Sequence, residues 1–126
     1  MSLEFNRTIL YSKNKEELSV YLSELLDASL NKKTEGIEIK KEDFSLMIYD
    51  RNSKKSNYKS TFHFSLSSQD ELKEMLKKIQ FIWFRRGKNE NAPEILEKNE
   101  KGKHHSFFKT RDIDGNNWIF SCGVDT

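Results

Sequence analysis

One step of sequence, written twice half a chain apart, constrains the fold most. "ILYSKNKEEL" covers residues 9–18 and "HFSLSSQDEL" covers residues 63–72. Each runs from a short alternating apolar stretch into a polar capping residue and then an acidic first helical turn. Asn14 with Glu17, and Ser68 with Glu71, have the three-residue spacing of a capping box. Behind the first cap, Leu18, Tyr21, Leu22, Leu25 and Leu26 recur at helical spacing in "KEELSVYLSELLDASL". Behind the second, Leu72, Met75, Leu76 and Ile79 do the same in "QDELKEMLKKIQ". Two amphipathic helices are predicted, each preceded by a strand.

The remaining strands follow from alternation and turn chemistry. "RTILYS" (7–12), Ile37 to Lys40, Phe44 to Asp50 and "STFHFSLSS" read as strands; in the last, Phe62, Phe64 and Leu66 oppose Thr61, His63 and Ser65. "HHSFFKTR" and "NWIFSCGV" read as arms of a hairpin around "DIDGN". "FIWFRRGK" (81–88) reads either as the end of the second helix or as a new, very apolar strand, with the strand favoured, and "NSKKSNYKS" and "NENAPEILEKNEKGK" read as loops. The order strand, helix, strands occurs twice, so two copies of a βαβββ unit are expected, residues 1–56 and 57–126, in one domain. A chain of 126 residues fits that prior.

Composition excludes several classes. With 12% aromatic residues, nine of them phenylalanine, the 33% charged residues do not imply disorder. A net charge of +2 gives no electrostatic footprint for nucleic acid, and Arg85, Arg86 and Lys88 beside Phe81 and Trp83 read as a solvated basic turn after a buried strand. No nucleic-acid partner is expected. Cys122 is the only cysteine, which suits a reducing, cytoplasmic location, and neither a signal peptide nor a membrane-spanning run is expected. Gly-rich phosphate loops and Gly-x-Ser-x-Gly elbows are absent from the sequence.

A βαβββ pair ending in "FFKTRDIDGNNWIF" resembles the glyoxalase / bleomycin resistance / dioxygenase superfamily, the vicinal oxygen chelate fold. Many members end in an aromatic strand, an Asp-Pro-Asp-Gly-Asn turn and an alternating strand with a tryptophan; here Ile113 stands where proline is usual. "RTILYSKNKEELSVYLSELL" is similar to the family's first strand and helix, and "STFHFSLSSQDELKEMLKK" to its fifth strand and second helix. The resemblance implies an α+β fold in which two βαβββ units form a curved mixed sheet around a cavity, with helices outside and pairing into a homodimer.

In the metal-dependent branch, a divalent ion is held by His and carboxylate side chains from several strands. The resemblance carries those positions onto Arg7, Leu46, Thr61 and Ile119, none of which suits a divalent ion. The expectation is therefore a protein without a metal or other cofactor and with no catalytic residue. It would bind a small organic molecule in an apolar cavity lined by Arg7, Tyr11, Leu46, Thr61, His63, Trp83, Phe107 and Ile119. Arg7 would meet an anion, and His63 would act as a donor. Trp118 and Phe120 are expected to pack under a helix, with Ile119 facing the cavity. His104 and His105, being adjacent in a strand, are expected to point to opposite faces. The alternative is a divergent lyase or isomerase whose metal is held by His63 with Glu38 or Asp50. A third reading is an interaction module whose surface is its function.

Overall fold

A computed structural model describes residues 1–51, 59–87 and 93–125. The chain divides into two compact units, Met1–Asn57 and Tyr58–Thr126. The loop expected over 52–60 and the stretch 88–92 lie largely or wholly outside the described residues.

Unit 1 runs β1 (Thr8–Ser12), α1 (Lys15–Leu26), β2 (Ser29–Lys32), β3 (Ile37–Lys41) and β4 (Phe44–Asp50). Its sheet has the order β1-β4-β3-β2, with β1 parallel to β4 and the other pairs antiparallel. Asn14 caps α1, its side-chain oxygen accepting from the Glu17 backbone N–H at 3.1 Å. The apolar stripe Leu18, Tyr21, Leu22, Leu25 and Leu26 is buried, as are Leu10, Ile37, Ile39, Leu46 and Ile48 on the sheet face beneath it. The helix stops earlier than the sequence pattern suggests. Asp27 adopts a left-handed conformation (φ 51°), and the Ser23 carbonyl accepts from the Ala28 N–H. Ser29 and Leu30, expected as the helix's last residues, instead begin edge strand β2.

Unit 2 runs β5 (Thr61–Ser65), α2 (Gln69–Arg85), β6 (Leu96–Glu100), β7 (Lys103–Arg111) and β8 (Asn117–Asp125). The sheet order β5-β8-β7-β6 repeats that of unit 1, again with the first pair parallel and the rest antiparallel. Two expectations are corrected here. "FIWFR" is the end of α2, not a strand: Ile82 and Trp83 continue the buried stripe begun by Leu72 and Ile79. The Gly87 N–H closes that end on the Phe84 carbonyl. "LEKNE", expected as loop, forms β6 and pairs with β7 from Leu96↔Phe107 to Glu100↔Lys103.

Aromatic rings fill the face of this sheet that α2 covers. Phe62 stacks on Trp118 at 4.4 Å between centroids, Phe64 on Phe120 at 5.7 Å, and Phe108 on Phe120 at 5.3 Å. Trp118, Phe108 and Phe120 are fully buried, as their alternation predicts. The last turn is organised by the Asp112 carboxylate, and Gly115 takes the positive φ (84°) that the turn requires. No helix among the described residues is long and apolar enough to cross a membrane.

Candidate open sheet face of unit 2

The strand register decides which side chains meet. Residues directly opposite in neighbouring strands point to the same face, and every second residue returns to it. In unit 2 the rows across the sheet are Thr61–Asn117–Arg111, His63–Ile119–Lys109 and Ser65–Ser121–Phe107–Leu96. These rows lie on the face away from α2. Thr61, His63, Ser65, Lys109 and Arg111 are exposed, and Ile119, Ser121 and Phe107 are half-buried. Four of the residues expected to line a binding site, Thr61, His63, Phe107 and Ile119, are therefore brought together on one open face.

His63 is fixed by one contact: its Nε2 lies 2.6 Å from the Ser121 Oγ. Ser121 was not among the expected site residues. The alternation of "NWIFS" puts it on the Ile119 face, but only the parallel pairing of β5 with β8 brings it to His63. Toward the other end of the face, His105 lies across the β8 backbone. A side chain at Gly123 would approach the His105 ring to 3.0 Å, so the glycine makes room for the imidazole. His104 points the other way, as expected of its neighbour, and meets Asn99 Oδ1 at 2.7 Å and the Glu97 carboxylate at 3.6 Å.

The face is cationic. Lys98, Lys109 and Arg111 sit on it with His63 and His105. No hydrogen bond or ion pair engages Lys109 or Arg111 among the described residues. Nor does any group of three or more His, Cys, Asp and Glu side chains converge there as a metal cluster. His63 and His105 are four residues apart in register and two strands apart. Strand geometry separates them by more than about 13 Å, too far to share one ion.

The other expected site residues lie elsewhere. In unit 1, Arg7 precedes β1 and lines a surface pocket of about 350 Å³ with Lys33, Thr34, Glu35, Glu38 and Met47. Two carboxylates share that pocket with the two cations, so it offers no clear preference for an anion. Tyr11 is exposed and lies 5.9 Å from the Tyr49 ring. Leu46 pairs with Thr8 and Ile39 on the face under α1 and is buried there; its neighbour Met47 occupies the opposite face. Trp83 belongs to α2, not to a strand, and is buried at 3% exposure with the helix stripe. Leu46 and Trp83 are thus core residues and do not reach the open faces.

The sequence matches no protein-family model and no curated protein. The fold is similar to solved structures over nearly the whole chain. A lactoylglutathione lyase from Agrobacterium tumefaciens superposes with a TM-score of 0.69 at 13% identity, covering 94% of this chain and 92% of that one. A genomically encoded fosfomycin resistance protein from Listeria monocytogenes gives 0.68 at 15%, covering 98% and 96%. A glyoxalase/bleomycin resistance protein/dioxygenase from Alicyclobacillus acidocaldarius gives 0.66 at 14%, covering 97% and 92%.

Proposed function

From a chain with the fold of the glyoxalase / bleomycin resistance / dioxygenase superfamily, we propose a metal-free binding protein. It holds a small organic molecule on the open face of the unit 2 sheet. One observation carries the reading: Thr61, His63, Ile119 and Phe107 share that face, with His63 bonded to Ser121. Ile119 and Phe107 supply an apolar ledge, and the His63–Ser121 pair and Thr61 supply a few orienting polar groups. That combination suits a small-molecule site. The carboxylates that a hard divalent ion needs are not within the same rows. The chain is expected to work as a homodimer in the cytoplasm.

The test is differential scanning fluorimetry with calorimetric titration against single-ring probes: benzyl alcohol, benzamide and benzoate. At least one is expected to bind the native chain saturably in the millimolar range or tighter and to raise Tm. Ile119→Asp, which removes the ledge and puts a charge of benzoate's own sign on the face, should abolish the effect while leaving the unliganded Tm within a few degrees. If no probe binds the native chain, the reading fails. Native mass spectrometry of the same sample is expected to report a dimer.

A further inference from the structure

We propose that the occupant of this face is an aromatic anion, its acidic group held by Lys109 and Arg111 and its ring lying on Phe107 and Ile119. The inference rests on the small-molecule reading above and names the class of ligand.

Three observations on β7 and its neighbours carry it. Phe107, Lys109 and Arg111 follow one another at every second residue of one strand. They therefore stand on one face in steps of about 6.8 Å. A ring set on Phe107 brings an acidic group attached to it within reach of the flexible Lys109 ammonium. The Arg111 guanidinium comes one step further on, with its planar fork suited to a carboxylate or phosphate. Next, both cations are exposed, and neither meets a carboxylate among the described residues. Their charge is available to a ligand. The rows that hold them, Thr61–Asn117–Arg111 and His63–Ile119–Lys109, contain no acidic residue. Lastly, the apolar side chains of the face, Ile119, Phe107 and exposed Leu96, lie directly beside Lys109 and Arg111, with Lys98 and His105 in the row beyond them. Ile119 lies beside Lys109 in the same row, and Phe107 lies beside Ser121 in the next. From the apolar patch of Ile119, Phe107 and Leu96, the side toward Lys109 and Arg111 is thus a cationic end free of acidic residues, and a molecule that joins a ring to an acidic group fits across the two. A neutral ring would leave the cationic end unused, and a simple inorganic anion would leave the apolar end unused.

The experiment compares benzoate, benzamide and inorganic sulfate by calorimetric titration on the full chain at about 20 mM ionic strength, where exposed charges are least screened. Benzoate is expected to bind about tenfold tighter than benzamide, the scale set by two solvent-exposed charge contacts. Sulfate should compete with benzoate only weakly. In Lys109→Gln/Arg111→Gln the benzoate preference should fall to about twofold or less, while benzamide affinity stays unchanged. Raising sodium chloride to about 500 mM on the native chain should narrow the preference in the same direction, a measurement that does not depend on the variant folding. Equal affinity for benzoate and benzamide would overturn the anion inference and leave the small-molecule reading standing. Binding of neither would remove both. Sulfate binding as tightly as benzoate would overturn the role of the apolar ledge.

Discussion

Asp112 lies at the start of the last turn with 4% of its surface exposed, yet it carries a carboxylate. Four donors converge on it. Oδ1 accepts from the backbone N–H groups of Asp114 at 2.9 Å and Asn116 at 3.0 Å; Oδ2 accepts from Asn116 Nδ2 at 3.0 Å and Trp118 Nε1 at 2.9 Å. Removing the acceptor strands an indole N–H and two backbone donors away from water. Asp112→Ala is therefore expected to lower stability by about 3 kcal/mol or more in urea denaturation followed by tryptophan fluorescence. Asp112→Asn keeps the shape but turns an N–H₂ toward donors, and should lose about 2 kcal/mol. Equal, small effects for both would mean the turn is held by its backbone alone. The sequence announced a turn here through Asp, Gly and Asn, because those residues act locally. It did not announce the bond to Trp118, which exists only once the hairpin closes. Leu46 shows the opposite limit. Its strand was recognised, but parity decides the face a side chain takes, and Leu46 lies beneath α1 while its neighbour Met47 occupies the opposite face.

At the scale of elements, helix starts were legible and helix ends were not. Both N-caps are local side-chain chemistry: Ser68 Oγ accepts from the Glu71 N–H at 3.1 Å, as Asn14 does for Glu17. Ser68→Ala should cost about 1 kcal/mol by thermal denaturation. The Glu71 carboxylate reaches one residue further back than a simple capping box, to the Ser67 hydroxyl at 2.8 Å and the Ser67 N–H at 3.0 Å. The hydroxyl bond, followed by the backbone bond, holds its pKa below the ordinary glutamate value. A lowered folded-state value means the contribution is complete above the ordinary value of about 4.3 and is lost as pH falls through the lower one. The Tm difference between the native chain and Glu71→Gln should therefore shrink between about pH 6 and about pH 3. A gap that stays constant across that range would contradict this. The ends of the helices depend on packing. Nothing in "LLDASL" forbids another helical turn, yet Asp27 turns left-handed and releases Ser29 to pair with Lys40. "FIWF" has the density of a buried strand, but Ile82 and Trp83 fall on the stripe of Leu72 and Ile79. A helical count carried four residues further decides for the helix-end alternative over the strand. β6 is polar and exposed at the sheet edge, so only its pairing with β7 marks it as a strand.

At the scale of the molecule, the repeat of βαβββ units was readable because the step from a strand into a capped amphipathic helix recurs half a chain apart, with further strands after each. Chemistry was less readable, because it depends on which strands pair. The parallel pairing of β5 with β8 sets His63, not Thr61, across from Ile119, and brings Ser121 to within 2.6 Å of the imidazole. That register has a consequence for metal. An ion resident on the open face would need ligands from the His63 row or its neighbours. Those rows offer one imidazole, hydroxyls and an amide, with cations beside them. A hard divalent ion prefers carboxylates, and Lys109 and Arg111 would oppose its charge. A bound ion stabilises the folded chain in proportion to the logarithm of its excess over Kd, so stripping a resident ion must lower Tm. The chain purified without added metal is expected to carry less than about 0.1 equivalent of any divalent ion by elemental analysis, and dialysis against EDTA should leave its Tm unchanged within about 1 °C. One equivalent of zinc, manganese or iron per chain, lost together with several degrees of Tm on chelation and again in His63→Ala, would reverse the reading. The fold would then hold a metal through residues that this sheet face alone does not bring together.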